Sequence, residues 1–349
     1  MTAPASSLPL KLAVAWSLLV IYASLFPFSG WRDAGLTPLA FLTTAWPRYF
    51  TGFDIAVNLL AYLPLGLFWA AALLEHLPPS GAFFTALAIG SGLSFCVEVV
   101  QNYLPSRVPS NLDFASNTLG VALGALAGGL WGRTLLDGGR LYRWRQQRFI
   151  PGTSGDFGLM LLALWLLTQL NPENILFGSG NLRNLIGLPP ALPFEAARFN
   201  RFELAMAVLQ TFGVASIGAL LARRRSFRWP LALIAAGLAV KSAAFLALMQ
   251  GLHGLVWATP ATLGGLALGL ALWGAAMALT PGLRRAMAAL SLMLASVLAN
   301  LMPDNPYFAD TLRVWQQGHF LNFNGLTHLA SAVWPYFALL WLMLSRSER

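Results

Sequence analysis

The feature that most constrains this chain is a succession of long apolar runs, separated by short polar or basic stretches, that fills nearly all of its 349 residues. The runs lie near residues 12–26 and 53–74, twice within 83–131, and near 157–173, 201–221, 230–250, 259–280, 285–302 and 328–345. One crossing of a bilayer takes ~20 helical residues, so runs of this length predict membrane spans. Composition agrees: 57% of residues are hydrophobic, 10% are charged, and mean hydropathy is +0.63, far more apolar than a soluble core of this size requires. The expected fold is therefore all-α, a polytopic bundle of about ten transmembrane helices.

The formal charge of +9 raises the question of a nucleic-acid partner. The basic residues answer it by their position, because they gather in short loops beside apolar runs, where they set topology. Lys11, the arginines between Arg133 and Arg148, the cluster Arg223 to Arg228, the pair Arg284 and Arg285, and Arg346 with Arg349 fall on one side. A smaller set, Arg32, Arg48, Arg107, Arg183, Arg198, Arg201 and Arg313, falls on the other. Both termini are then expected in the cytoplasm, with the loops 171–200 and 303–327 facing outward. No nucleic-acid partner is expected. The first run resembles a signal peptide in length, but no small-x-small cleavage site follows Phe26-Pro27-Phe28, so it is expected to remain as an anchor helix. Cys96, the one cysteine, excludes a disulfide within the chain and reads as a small core residue.

Ionisable groups are scarce inside the runs and concentrate at one turn. Glu98 and Gln101 close the third run and share a helix face; Pro105, Arg107 and Pro109 make the turn; Asp113 and Asn117 open the fourth run. Gly120, Gly124 and Gly128 continue the face of Asn117, a spacing that lets a neighbouring helix approach closely. In the second run, Pro64 frees a backbone carbonyl and predicts a kink, and Asn58 is an amide able to satisfy such a group. Polar groups in a span are costly unless they pair or bind something, which makes this corner the candidate site. Lys241 lies mid-span in the seventh run, too deep to reach water easily, and is a candidate partner for Glu98 or for a phosphate.

These residues carry a resemblance. Asn58, Pro64-Leu65-Gly66, Glu98-x-x-Gln101, Pro105-x-Arg107 and Asp113-x-x-x-Asn117-x-x-Gly120-x-x-x-Gly124 are similar in order and spacing to the VanZ-like family of membrane proteins. The resemblance covers about the first 135 residues. It implies a multi-pass protein of the bacterial cytoplasmic (inner) membrane, in a family whose founding member is associated with resistance to the glycopeptide teicoplanin. It also implies that Asn58, Glu98, Gln101, Arg107, Asp113 and Asn117 are the family's polar positions, and that Pro64, Gly66, Gly120 and Gly124 serve helix packing. The later half, through Asn322-Phe323-Asn324-Gly325-Leu326 and Trp334-Pro335, is similar to the extension of longer relatives. The expected domains are a four-helix VanZ-like part over 1–135, a basic linker over 136–156 and a six-helix region over 157–349.

The favoured function is binding of a lipid-linked or amphiphilic cell-envelope molecule in an outward-facing polar pocket of Asn58, Glu98, Gln101, Arg107, Asp113, Asn117 and Lys241, without a cofactor and with membrane lipids, a polyprenyl-linked species or a glycopeptide as partner. A structural alternative is an ion pair of Arg107 with Glu98 or Asp113 that holds the hairpin shut. Two further readings stay open: an intramembrane enzyme with Glu98 or Asp113 as acid/base, and a transporter using Glu98 and Lys241. The outer loops also carry Trp257, Tyr307, Trp315, Phe320, Phe323 and Trp334 among Asn181, Asn184, Asn305, Asn322 and Asn324, aromatics and amides suited to a sugar or peptidic headgroup as well as to interfacial anchoring. His253, His319 and His328 lack the spacing of a metal site, and Gly178-Ser179-Gly180 is no dinucleotide fingerprint because its third glycine position is Arg183.

Overall fold

The computed structural model describes residues 8–33, 35, 37–47, 52–135, 139–248, 254–306 and 321–345. Among these, the regular structure is helical, and each apolar run becomes a helix. Among the described residues eight helices are long and apolar enough to cross a membrane; two more apolar helices, at 17 residues each, are shorter. The chain divides into two compact units, Met1–Gln147 and Arg148–Arg349.

The first unit contains α1 (Leu8–Leu25), α2 (Gly52–Leu73), α3 (Pro79–Gln101) and α4 (Asn111–Leu135). A short α5 (Arg140–Arg148) occupies the basic linker and runs across the boundary between the units. The pairing of α2 with α4 is built on glycine. A Cβ at Gly120, Gly124 or Gly128 would overlap the carbonyl oxygens of Leu59, Leu63 and Leu67 in turn, and one at Gly66 would overlap that of Val121. Apolar surface drives little helix association in lipid, so close backbone contact of this kind supplies the packing instead. Pro64 lies inside α2, which continues through it, and the Trp16 indole of α1 donates to the Ala61 carbonyl of the same turn at 2.8 Å.

Apolar side chains such as Leu60, Phe84 and Leu130 are left exposed around this unit, on faces suited to hydrocarbon. Cys96 is exposed as well, rather than a core residue. The small side chains of α3 that do face inward are Ala82, Ala86, Gly90 and Ser94, four apart, and Cys96 lies off that line.

The second unit is arranged around α8 (Ala196–Leu221), whose C-terminal half is buried from Gln210 to Leu221. Packed on it are α6 (Gly152–Thr168), α9 (Arg228–Leu248), α10 (Pro260–Ala276) and α11 (Pro281–Leu301). Gly265 and Gly269 of α10 lie on α8, where an added Cβ would come within 2.7 Å of the Leu204 carbonyl and 2.8 Å of that of Val208. The last helix, α12 (Leu321–Leu344), runs against α6 through two indoles seven residues apart: Trp334 donates to Leu161 O and Trp341 to Ser154 O, each at 2.8 Å. Between α6 and α8 the chain makes a single turn of helix, α7 (Leu182–Leu185), and is otherwise irregular.

Candidate functional site

The α3–α4 corner brings together six of the expected residues, three of them at helix ends and three in side-chain bonds between helices. Ser110 is the N-cap of α4: its Oγ accepts from the amides of Leu112 at 3.2 Å and Asp113 at 3.3 Å. In a capping box the acid three residues on would accept the amide of the cap residue itself. Here that acceptor comes from another helix, because the Ser110 amide donates to Glu98 Oε2 of α3 at 2.9 Å. Glu98, only 2% exposed, thus places its carboxyl at the positive end of α4. Asp113 is released from the box and accepts instead from Asn58 Nδ2 of α2 at 2.8 Å.

The other end of the logic is a helix C-terminus. Gln101 Nε2 donates to Ser24 O at 2.9 Å and Arg107 donates to Phe26 O, so the end of α1 receives an amide and a guanidinium. Cationic donors suit the negative end of a helix. Asn117 completes the set by donating from α4 to Ser94 Oγ of α3 at 3.0 Å. Among the described residues neither Glu98 nor Arg107 forms an ion pair, so no salt bridge of Arg107 with Glu98 or Asp113 holds the hairpin. Asn58 likewise serves Asp113 rather than a carbonyl freed by Pro64. Polar atoms at the corner that are buried without a partner include Arg107 Nε, Asn111 Oδ1 and Asn117 Oδ1. Partial burial pushes the Arg107 guanidinium down from its ordinary value, which is high enough that the group stays charged.

Residues 10–132 match the family model described as VanZ/LLP1. The first unit therefore carries a VanZ-like region. No curated protein and no solved structure matches the chain. The VanZ-like region holds Asn58, Glu98, Gln101, Arg107, Asp113 and Asn117 together, whereas Lys241 belongs to the second unit. There its ammonium donates to the carbonyls of Asn171 at 2.6 Å and Asn174 at 2.7 Å.

Those two carbonyls belong to a stretch that sequence reading placed in an outer loop. Leu176 to Gly180 is irregular yet buried throughout, with Phe177 and Gly180 at positive φ of 58° and 93°. Gln210 of α8 donates to Ser179 Oγ at 3.0 Å, Asn300 of α11 donates to Gly180 O at 2.8 Å, and Gly180 N donates to Ser331 O of α12 at 2.8 Å. Gln210 and Asn300 were not among the expected site residues; a lone amide in an apolar run was the available signal. Of the outer-loop positions noted above, His253, Tyr307, Trp315, His319 and Phe320 and the side chains of Asn322, Phe323 and Asn324 lie outside the described residues, as do Arg48, Arg313, Arg346 and Arg349.

Proposed function

We propose that the protein works in the bacterial cytoplasmic membrane, where its VanZ-like region binds a lipid-linked or amphiphilic envelope molecule at the Glu98–Arg107 corner on the outer face. The observation that carries this reading is Arg107 Nε, buried and without a partner beside a guanidinium already bonded to the end of α1. Buried polar groups are costly when unsatisfied, so an arginine held there with one edge over is a donor awaiting an acceptor. The match of residues 10–132 to VanZ/LLP1 supports the membrane setting, and the arginine-rich loops support the orientation.

The test is native mass spectrometry of the protein in mild detergent, comparing wild type with Arg107→Ala and Glu98→Gln variants whose thermal unfolding is cooperative. A discrete polyprenyl or phospholipid species retained by wild type and lost from Arg107→Ala supports binding at the corner. Equal retention by all three proteins refutes it. A role in teicoplanin tolerance is the physiological form of the same reading, and predicts that wild type but not Arg107→Ala raises tolerance when expressed in a susceptible host.

A further inference from the structure

Non-helical backbone at the depth of a membrane span is tolerated where protein surrounds it or where it lines a polar cavity, and broken segments of this kind mark ligand sites in membrane proteins. The stretch 171–181 of the second unit meets both conditions. Its carbonyls are held by Lys241, Gln210 and Asn300, three side chains from three helices, and it borders a cavity of about 410 Å³. Such a volume falls within the range of small-ligand pockets, ~300–1,000 Å³.

The lining decides the chemistry. Asn174, Asn181 and Asn184 contribute carboxamides, each both donor and acceptor, and Ser331 and His328 face them. Asn174 Nδ2 is buried and has no partner. Ile175, Met206 and Met302 form an apolar side. Among the described residues the lining carries one arginine, Arg183, which pairs with Asp304 at 2.9 Å and keeps a buried Nε without a partner, a further donor; Lys241, behind the lining, is bonded to two carbonyls. Glu173 adds a second carboxylate to the lining. Among the described lining residues an anionic headgroup would meet two carboxylates, Glu173 and Asp304, against the one arginine, and a hydrocarbon tail alone would leave the amides unsatisfied.

We propose that this cavity is a binding site for a neutral, hydroxyl-rich headgroup, a glycosyl group whose hydroxyls match the amides and whose C–H face meets the methionine side. The lipid-linked and the free sugar share this chemistry, and the two are separable.

The experiment places the full-length protein in nanodiscs of phosphatidylethanolamine and phosphatidylglycerol. Saturation-transfer NMR then follows octyl glucoside below its micellar concentration, against glucose, octyl phosphate and 1-octanol at matched concentrations. Saturable binding of octyl glucoside, not displaced by octyl phosphate or octanol, is expected, and Asn174→Leu and His328→Leu should each weaken it at least tenfold, while Asn174→Gln restores it. Comparable binding of glucose identifies the free sugar as sufficient; its failure identifies a lipid-linked one. The proposal is overturned by the absence of saturable glucoside binding to folded wild type, by equal competition from octyl phosphate or octanol, or by unaltered binding in both leucine variants.

Discussion

The two units solve the same problem, polar groups inside apolar helices, in opposite ways. In the VanZ-like region the polar side chains meet helix ends: Glu98 at the start of α4, Gln101 and Arg107 at the end of α1. The helices there can be regular because glycine brings α2 and α4 into backbone contact. In the second unit the polar side chains Lys241, Gln210 and Asn300 meet an irregular segment, and the space that segment cannot fill is a cavity. The difference teaches that a charged residue in a span is no direct signal of chemistry. What it satisfies is a helix terminus in one unit and a broken backbone in the other, and a cavity borders the broken backbone.

The comparison breaks most readily at the glycines. Gly124→Leu would force α2 and α4 apart at the Leu63 carbonyl, a cost of ~3 kcal/mol or more, and should abolish accumulation of the full chain in membranes. Gly92, which has open space around its Cβ position, should accept alanine with accumulation intact.

Next in size is Lys241→Met, which keeps the apolar stem and removes both donors from the Asn171 and Asn174 carbonyls. Leaving buried acceptors unsatisfied costs about 1–3 kcal/mol each, so the thermal midpoint in detergent should fall by several degrees. Unchanged stability would mean that the segment does not depend on its lysine. Glu98→Leu should destabilise by about 1–3 kcal/mol through the orphaned Ser110 amide, and Glu98→Gln, which retains an acceptor, by less. The smallest effect is expected from Ser94→Ala, about 1 kcal/mol, because Asn117 loses one neutral hydrogen bond. An order Ser94 over Glu98 would contradict the capping role argued for the carboxylate.

Much of this architecture is legible in the chain itself. Apolar runs of bilayer length locate the helices, and the spacing of Gly120, Gly124 and Gly128 locates a helix contact, because both are periodic properties of neighbouring residues. The corner was also legible as a group of residues. Its partners were not: an ion pair between Glu98 and Arg107 is the reading that side chains alone invite, whereas each group is answered by a helix terminus, whose partial charge belongs to backbone. The segment from Leu176 to Gly180 was the least legible, since glycine and serine with no periodicity read as a surface loop. Its polar groups are met by Gln210 and Asn300, and the Asn171 and Asn174 carbonyls just before it by Lys241, all residues remote in sequence.

The placement of Glu98 has one more consequence, for biogenesis. Because the N-terminal amide of α4 is satisfied by a carboxyl from α3, and Asn117 of α4 by a hydroxyl of α3, neither helix carries its full complement of partners alone. A nascent chain halted between them would present to lipid a carboxyl whose counterpart has not yet been synthesised. Insertion of α3 and α4 as a pair would supply both partners at once.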